Sequence, residues 1–463
     1  MRRLDWFLER PTAVRRYAAD LLTESIGLRA TFLDAPPTEP AVYVHHGSGA
    51  AGPEAIVVPE REPSDVPADV ATHRHDGRRV LDADVISATI ALVTDAVNRS
   101  PAPGDLDRHG RLRAAASHLG RRGLVAAPIV NRYAIALRLA LADGGRFRMA
   151  DPWPDGRRAA IVLSHDVDRP DKYAVLRAAG SLRLPPPQRL PWFLARTARD
   201  LAHRLRDRAP DDFWLFEPLA ASEEERGMVS TFLFAVVPAF APYGSTNDVL
   251  YDASWPHLRR AMRALHDSGI EIALHASYNA HADASRFVTE RARLQELSGT
   301  EIRGLRHHFW QVGPDVAATL RAHEAAGFAY DSSLAYNDDV GLRRGIALPY
   351  HPWDEGQQRP LRTLQVPTIC LDSAACAGMT SVDAAVGMVW ERLVGVIEAG
   401  GVAALDWHVR CAVPANERYR SWGQVYQELL ERLAQRSDVW VTGLGDVAAW
   451  SERRRALIDD PAA

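Results

Sequence analysis

The sequence predicts an α/β protein, a mostly parallel sheet wound with helices and preceded by a smaller N-terminal α/β domain. Three observations carry that expectation. Short apolar runs recur along the chain, segments of helical periodicity alternate with them, and polar residues stand just beyond the carboxyl end of several runs. The chain has 463 residues, enough for one large domain and a smaller one. Its 47% hydrophobic and 25% charged composition is that of a globular protein with a substantial core.

The elements follow in order. Residues 1 to about 60 combine a charged, helix-compatible opening with a strand-like run, Ala41-Val42-Tyr43-Val44. Pro59 to Arg78, rich in Pro, Asp and Arg without a sustained period, reads as a loop. Ile86 to Val97 fits a helix packed on a core, Arg99-Ser100-Pro101-Ala102-Pro103-Gly104 stops it, and Leu112 to Leu119 suggests a second helix. A modest N-terminal domain is therefore expected over 1–150 and a larger domain over 151–463.

From Ala159 the grammar changes. Ala159 to Ser164 is an apolar strand running into acidic residues, and Thr231 to Val236 is another. Leu258 to Leu265 is helical and Gly269 marks its end, while Ile270 to Leu274 is a strand ending at His275. Val316 to Ala325 gives a helix, Thr363 to Val366 a strand, Ala384 to Ile397 a helix, and Val402 to Leu405 a strand ending at Asp406-Trp407-His408. In a barrel or open α/β sheet, sites assemble at the carboxyl edge where these polar residues fall. The proline-frequent stretch 181–218 reads as a long insertion with short helices.

A net charge of -4 gives no field for nucleic acid or anionic lipid. Arg-rich stretches such as Arg286-Phe287-Val288-Thr289-Glu290-Arg291 read as solvated helix faces. The cysteines Cys370, Cys376 and Cys411 form no disulfide framework or four-cysteine zinc pattern. With no signal-peptide-like start and no long uncharged apolar run, they point to a cytoplasmic protein without an integral membrane segment.

Four clusters can carry chemistry. Asp166 and Asp168, alternate along an extended backbone, project to one side, where one carboxylate can bind a cation and the other act on water. Loop capping is the structural alternative. His275-Ala276-Ser277-Tyr278-Asn279-Ala280-His281 follows a strand and offers imidazoles for zinc or a neighbouring divalent metal. Leu305-Arg306-His307-His308-Phe309-Trp310 places an arginine, able to position a carboxylate, beside two histidines. In Asp406-Trp407-His408, His408 suits a general acid and Asp406 can orient or charge-support a site histidine. Trp310, Tyr336, Trp353 and Trp407 can form an aromatic platform for a sugar ring or can simply pack the core.

Jointly these clusters resemble the polysaccharide deacetylase, or NodB-homology, superfamily over about 155–450. Where that family opens its site with Thr-Phe-Asp-Asp, this chain has Ser164-His165-Asp166-Val167-Asp168, similar to the Asp-x-Asp form of divergent branches. His275 matches the first histidine of the second motif, but Asn279 stands where the second is usual. Arg306 matches the arginine of the third motif, with His308 at its proline position, and Leu405-Asp406-Trp407-His408 is comparable to the late Leu-x-His element with one residue more. The resemblance continues through Gly327 to Tyr336 and Gly341-Leu342-Arg343-Arg344-Gly345. Before the catalytic domain it takes in Asp107-Arg108-His109-Gly110-Arg111 and Pro128-Ile129-Val130-Asn131-Arg132-Tyr133.

The resemblance makes 1–150 an accessory domain and 151–463 the catalytic one, and it implies a distorted (β/α) barrel of the carbohydrate esterase type and a divalent metal, by analogy zinc. It implies Asp168, His275 and His308 as ligands, with His281 the alternative to His308 and Asn279 or a water a further occupant. Asp166 becomes the base, aided by Arg306, and His408 the acid, with Asp406 in support and Tyr278 beside the oxyanion. Tyr278, Trp310, Tyr336 and Trp407 become substrate contacts. The implied partner is an acylated sugar, sugar nucleotide or glycoconjugate. Two other readings stand beside it: hydrolysis of a non-sugar C–N bond, and a non-catalytic carbohydrate-binding relic, for which the missing histidine at 279 is the warrant.

Overall fold

The computed structural model describes residues 2–38, 41–61, 66–142, 147–170, 191, 195, 212–239 and 241–460. Two sheets organise them. The first holds β1 (Arg3–Leu8), β2 (Arg29–Leu33), β3 (Val44–His46), β4 (Ile56–Val58), β5 (Thr72–His75) and β6 (Arg78–Leu81) in the order β2-β1-β3-β4-β6-β5. Every pairing in it is parallel except that of β5 with β6.

The opening is therefore a strand and not a helix. Leu4, Trp6 and Leu8 alternate into the core, and Trp6 Nε1 donates to Thr23 Oγ1 at 2.9 Å from the helix Ala13–Ser25. Period-two burial of a large aromatic, worth about 2–3 kcal/mol, outweighs the helix-compatible charges between those positions. The expected strand at Ala41 begins only at Val44. The expected loop 59–78 contains most of the β5–β6 hairpin, whose Asp76-Gly77 turn has φ of 48° and 78°. Asp-Gly between strands is the signature of such a turn. Leu112 to Leu119 is not a helix either: the helical turns there are the short Ala114–Ala116 and Gly120–Arg122. Most of the expected insertion at 181–218 lies outside the described residues, and its end enters the helix Phe216–Glu224.

The second sheet contains β7 (Ala159–Val167), β8 (Ser230–Phe234), β9 (Glu271–Ala276), β10 (Gly304–His307), β11 (Tyr330–Asp331), β14 (Leu364–Gln365), β15 (Thr368–Leu371), β16 (Val402–Asp406) and β17 (Val439–Thr442), while β12 (Trp353–Asp354) and β13 (Arg359–Pro360) form a separate ribbon. Its order is β14-β11-β10-β9-β8-β7-β16-β15, all parallel, with β17 beside the first half of β7. The outermost strands β14 and β15 are separated in the chain only by Val366 and Pro367, so the sheet has to curl until its two edges approach. Ser332, just after β11, bridges that seam, with its Oγ 2.6 Å from Thr368 Oγ1 and donating to Val366 O at 3.1 Å. The result is a curled parallel (β/α) barrel-like sheet. Helices including Pro256–Asp267, Ser285–Ser298 and Val382–Glu398 are interleaved between its strands. The helix Ser285–Ser298, which carries Arg286 to Arg291, is not wholly solvated: Phe287 and Glu290 are both buried.

The two sheets are joined through the segments that carried motifs without a role. Asn131 Oδ1 accepts from Ala347 N at 2.9 Å, and Val130 N donates to Gly345 O at 3.0 Å. Tyr336, Ile346, Tyr350 and Trp353 pack into the same core as Leu4, Trp6 and Tyr133. No helix among the described residues is long and apolar enough to cross a membrane.

Candidate metal centre

Four strands of the barrel, β10 and β9 on one side of β8 and β7 and β16 on the other, end in polar residues at one edge. Register pairs His275 of β9 with Arg306 of β10, and Asp406 of β16 with Ser164 of β7, two residues before Asp166. A parallel sheet brings its carboxyl ends to one side, so residues 240 positions apart meet there. Asp168 follows the last residue of β7 and, as the Asp-x-Asp spacing predicts, shares the site with Asp166.

Asp168 Oδ1 lies 3.3 Å from His275 Nε2 and 3.2 Å from His308 Nε2, and it is buried without a hydrogen-bond partner. Donor atoms around a tetrahedral ion with ligands at about 2.0–2.1 Å stand about 3.3–3.4 Å apart, so the two nitrogens and the orphaned oxygen match such a cradle. His275 Nδ1 faces Arg306 O at 3.2 Å, which turns its Nε2 toward the carboxylates. Asp248 Oδ1, 3.8 Å from His308 Nδ1, stands behind the second ring. His281 is not in this group. Its Nδ1 faces Tyr278 O at 3.2 Å and its ring packs against Gly313.

Beside the cradle lies a charge relay of side chains. Arg306 Nη1 is 3.0 Å from Asp166 Oδ1 and 3.3 Å from Asp406 Oδ1, all three residues being buried. Burial pushes the Asp166 carboxyl upward, but His275 and Arg306 outweigh it and hold it below the usual range. Burial and the Asp166 charge push Asp406 well above that range, so one negative charge faces the guanidinium. Ser164 Oγ and Ser332 O take the remaining Arg306 N–H groups at 2.8 and 3.3 Å, and the guanidinium carbon sits 4.9 Å from the centre of the Trp310 ring.

His408 reaches Asp168 Oδ2 with Nε2 at 2.9 Å, while its Nδ1 lies 2.8 Å from Asp372 Oδ2. Burial works against a charged His408 ring, yet Asp372 and Asp168 hold its pKa well above the ordinary value. His308 is likewise pushed up, to about 9, by Asp168 against the effect of burial. A cation in the cradle would take the place of the His308 proton. The supporting carboxylate of His408 is thus Asp372 and not Asp406, whose partners are Arg306 and the Asp166 amide. Asp372 escaped the sequence reading, although it directly follows the apolar strand Thr368–Leu371, the same signal that marked His275 and Asp406.

The expected substrate platform is not assembled. Trp407 is fully buried on Tyr426, with ring centres 5.3 Å apart. Tyr336 is buried with its hydroxyl on Ser117 Oγ at 2.8 Å, and Trp353 packs on Tyr17. Trp310 is buried beneath Arg306. Tyr278 is partly exposed, but its hydroxyl lies 2.9 Å from His109 Nδ1 and not beside Asp168. These rings are wide apolar surfaces, and core packing claimed them. His165 is structural too, its two nitrogens facing Trp407 O and Glu223 Oε1.

The backbone that follows His308 is unusual. β10 points the side chain of His307 away, onto His323 Nε2 at 2.8 Å, and the next residues Phe309 and Trp310 have φ of 60° and 55°. Left-handed backbone costs a non-glycine residue about 1–2 kcal/mol. A separate cavity of about 530 Å³, lined in part by Tyr17, Asp20, Trp153, Trp450 and Arg454, lies between the helices Ala13–Ser25 and Leu444–Asp459 and shares no residue with the centre.

No family model matches the chain, and none of the curated proteins does. Among solved structures the chain is similar to a probable polysaccharide deacetylase from Pseudomonas aeruginosa PAO1, at 17% identity and a TM-score of 0.43, covering 67% of this chain and 96% of that one. It is similar to Puue allantoinase at 16% identity and a TM-score of 0.43, covering 67% and 95%. A mutant of the peptidoglycan deacetylase PdaC from Bacillus subtilis gives 10% identity and a TM-score of 0.33, covering 66% and 96%.

Proposed function

We propose that the cluster is a divalent metal centre, zinc by its ligand chemistry, in a hydrolase that removes an acyl group, N-acetyl above all, from a carbohydrate or sugar conjugate. The observation that carries the reading is the placement of Asp168 Oδ1 at 3.3 and 3.2 Å from two imidazole Nε2 atoms. Asp168, His275 and His308 would hold the ion, which when bound polarises an acyl carbonyl and acidifies water. Asp166, kept ionised by His275 and Arg306, accepts the proton of the attacking water. Arg306 aims that carboxylate, and Asp406, its carboxyl pushed up, spares the pocket a second charge. His408, anchored through Nδ1 on Asp372, presents Nε2 to protonate the departing nitrogen, since an amine leaves poorly without a proton.

The carbohydrate part of the reading is supported by the likeness of the strand-end motifs to polysaccharide deacetylases. Burial of Tyr336, Trp353 and Trp407 favours a second reading, a compact non-sugar amide held without an aromatic platform. The three thiols, all free and buried, support a cytoplasmic location. The test joins metal analysis of purified protein to acetate release from a panel of N-acetylated sugars and sugar nucleotides, with small non-sugar amides as the competing set. Chelation should abolish turnover and added Zn2+ restore it, and Asp168→Asn should lose metal and turnover together. Full turnover by metal-free protein would overturn the proposal.

A further inference from the structure

The strained turn that follows His308 is gripped by residues from the N-terminal part of the chain. Residues 106–112 form a small hairpin, bridged between Leu106 and Leu112, with Gly110 at a φ of 75°. Asp107 folds it, accepting from the His109 and Arg111 amides at 2.8 and 3.0 Å and from the Arg111 Nε at 2.8 Å. That accounts for the spacing of Asp107-Arg108-His109-Gly110-Arg111, a motif the proposed chemistry leaves unused.

Arg111, whose Nη2 also donates to Asp107 Oδ2 at 2.6 Å, reaches across to the turn after β10. Its Nη1 donates to Phe309 O and, at 2.9 Å, to Asn337 Oδ1, and its guanidinium lies 5.9 Å from the Phe309 ring centre. His109 adds a second grip, with its ring 5.1 Å from that of Phe309 and its carbonyl accepting from Gln311 Nε2 at 3.0 Å. Phe309 lies between His308, 3.2 Å from Asp168, and Trp310, beneath Arg306, so these contacts hold the left-handed pair that directly follows His308.

We propose that Arg111, with His109 beside it, is a positioning residue for the metal centre: the N-terminal region clamps the Phe309–Trp310 turn and thereby fixes His308. The inference rests on the reading of His308 as a ligand. An arginine is required because a planar guanidinium can hold Asp107 on one edge and the Phe309 carbonyl and Asn337 on the other, which an ammonium cannot do at once.

The test follows two quantities in the full chain, hydrogen–deuterium exchange across 304–312 in metal-free protein and Zn2+ affinity by competition with a chelating dye. The variants are Arg111→Ala, Arg111→Lys and, as a control, Arg132→Ala, which removes an exposed ion pair with Asp69. Arg111→Ala should speed exchange after His307 and weaken Zn2+ binding on the order of 10-fold to 100-fold. Arg111→Lys should fall between it and wild type, and the control should match wild type. Wild-type exchange and affinity in Arg111→Ala overturn the clamp and leave the metal centre standing. A wild-type protein that binds no Zn2+ overturns the metal reading instead, and exchange alone then decides the clamp, faster upholding it and unchanged rejecting it. Should Arg111→Ala fail to fold, Arg111→Lys decides by the same two measurements.

Discussion

At the exit of β7, Asp166 lies within the strand and Asp168 is the first residue beyond it, and alternation brings both to the site. At the exit of β10 the same alternation turns His307 away and brings Arg306 and His308 to the site, and the two residues that follow, Phe309 and Trp310, take left-handed conformations. The first exit is supported by its strand neighbours, the second by residues from far along the chain, Arg111 and His109 among them. Local periodicity brings the site residues to both exits, while the turn after the second is held in addition by residues 109–111.

The largest effect that can separate the two exits is on turnover. Asp166→Asn should lower kcat on the order of 10²-fold to 10⁴-fold with metal content retained, as expected for loss of a base. His308→Ala should instead lose metal, on the order of 10-fold to 100-fold in affinity, with His281→Ala near wild type. If His281→Ala lost the metal, the β10 exit would not carry the ligand and the contrast would collapse.

A smaller effect concerns the support of His408. Asp372→Asn removes the carboxylate on Nδ1 while leaving the cradle of Asp168, His275 and His308 in place. We expect kcat to fall about 10-fold to 100-fold with metal affinity close to wild type. A comparable loss from Asp406→Asn with Asp372→Asn silent would restore the sequence expectation that Asp406 supports the histidine.

The smallest effect supplies a baseline away from both exits. Burial and the charge of Glu24 push Asp20 from 3.8 to about 6. A carboxyl that binds its proton more tightly when folded stabilises the native state fully below the unfolded value, and that contribution is lost as pH rises through about 6. Asp20→Asn should therefore gain on the order of 1 kcal/mol relative to wild type at pH 8 and show no such gain at pH 4, by denaturant titration. An equal difference at both pH values would remove Asp20 as the source.

Much of this was legible from the chain. Helices such as Val316–Ala325 and strands such as Val402–Asp406 announce themselves by apolar period and length, and Asp166, Asp168, His275, Arg306 and His408 by following strands. The aromatic platform was not legible, because Tyr336 or Trp407 has the same composition whether it lines a cleft or fills a core. Nor was Leu112 to Leu119, whose apolar spacing serves two short turns under the barrel's loops.

By itself, then, the sequence determined the α/β alternation and which strand ends carry acids and imidazoles, since both are periodic properties of short segments. Only the tertiary structure decided that His308 rather than His281 meets Asp168, that Asp372 rather than Asp406 holds His408, and that the residues 107–111 reach the turn after His308. Those choices depend on sheet curl and on the packing of the N-terminal segments against the barrel, which set distances between residues that no local pattern relates.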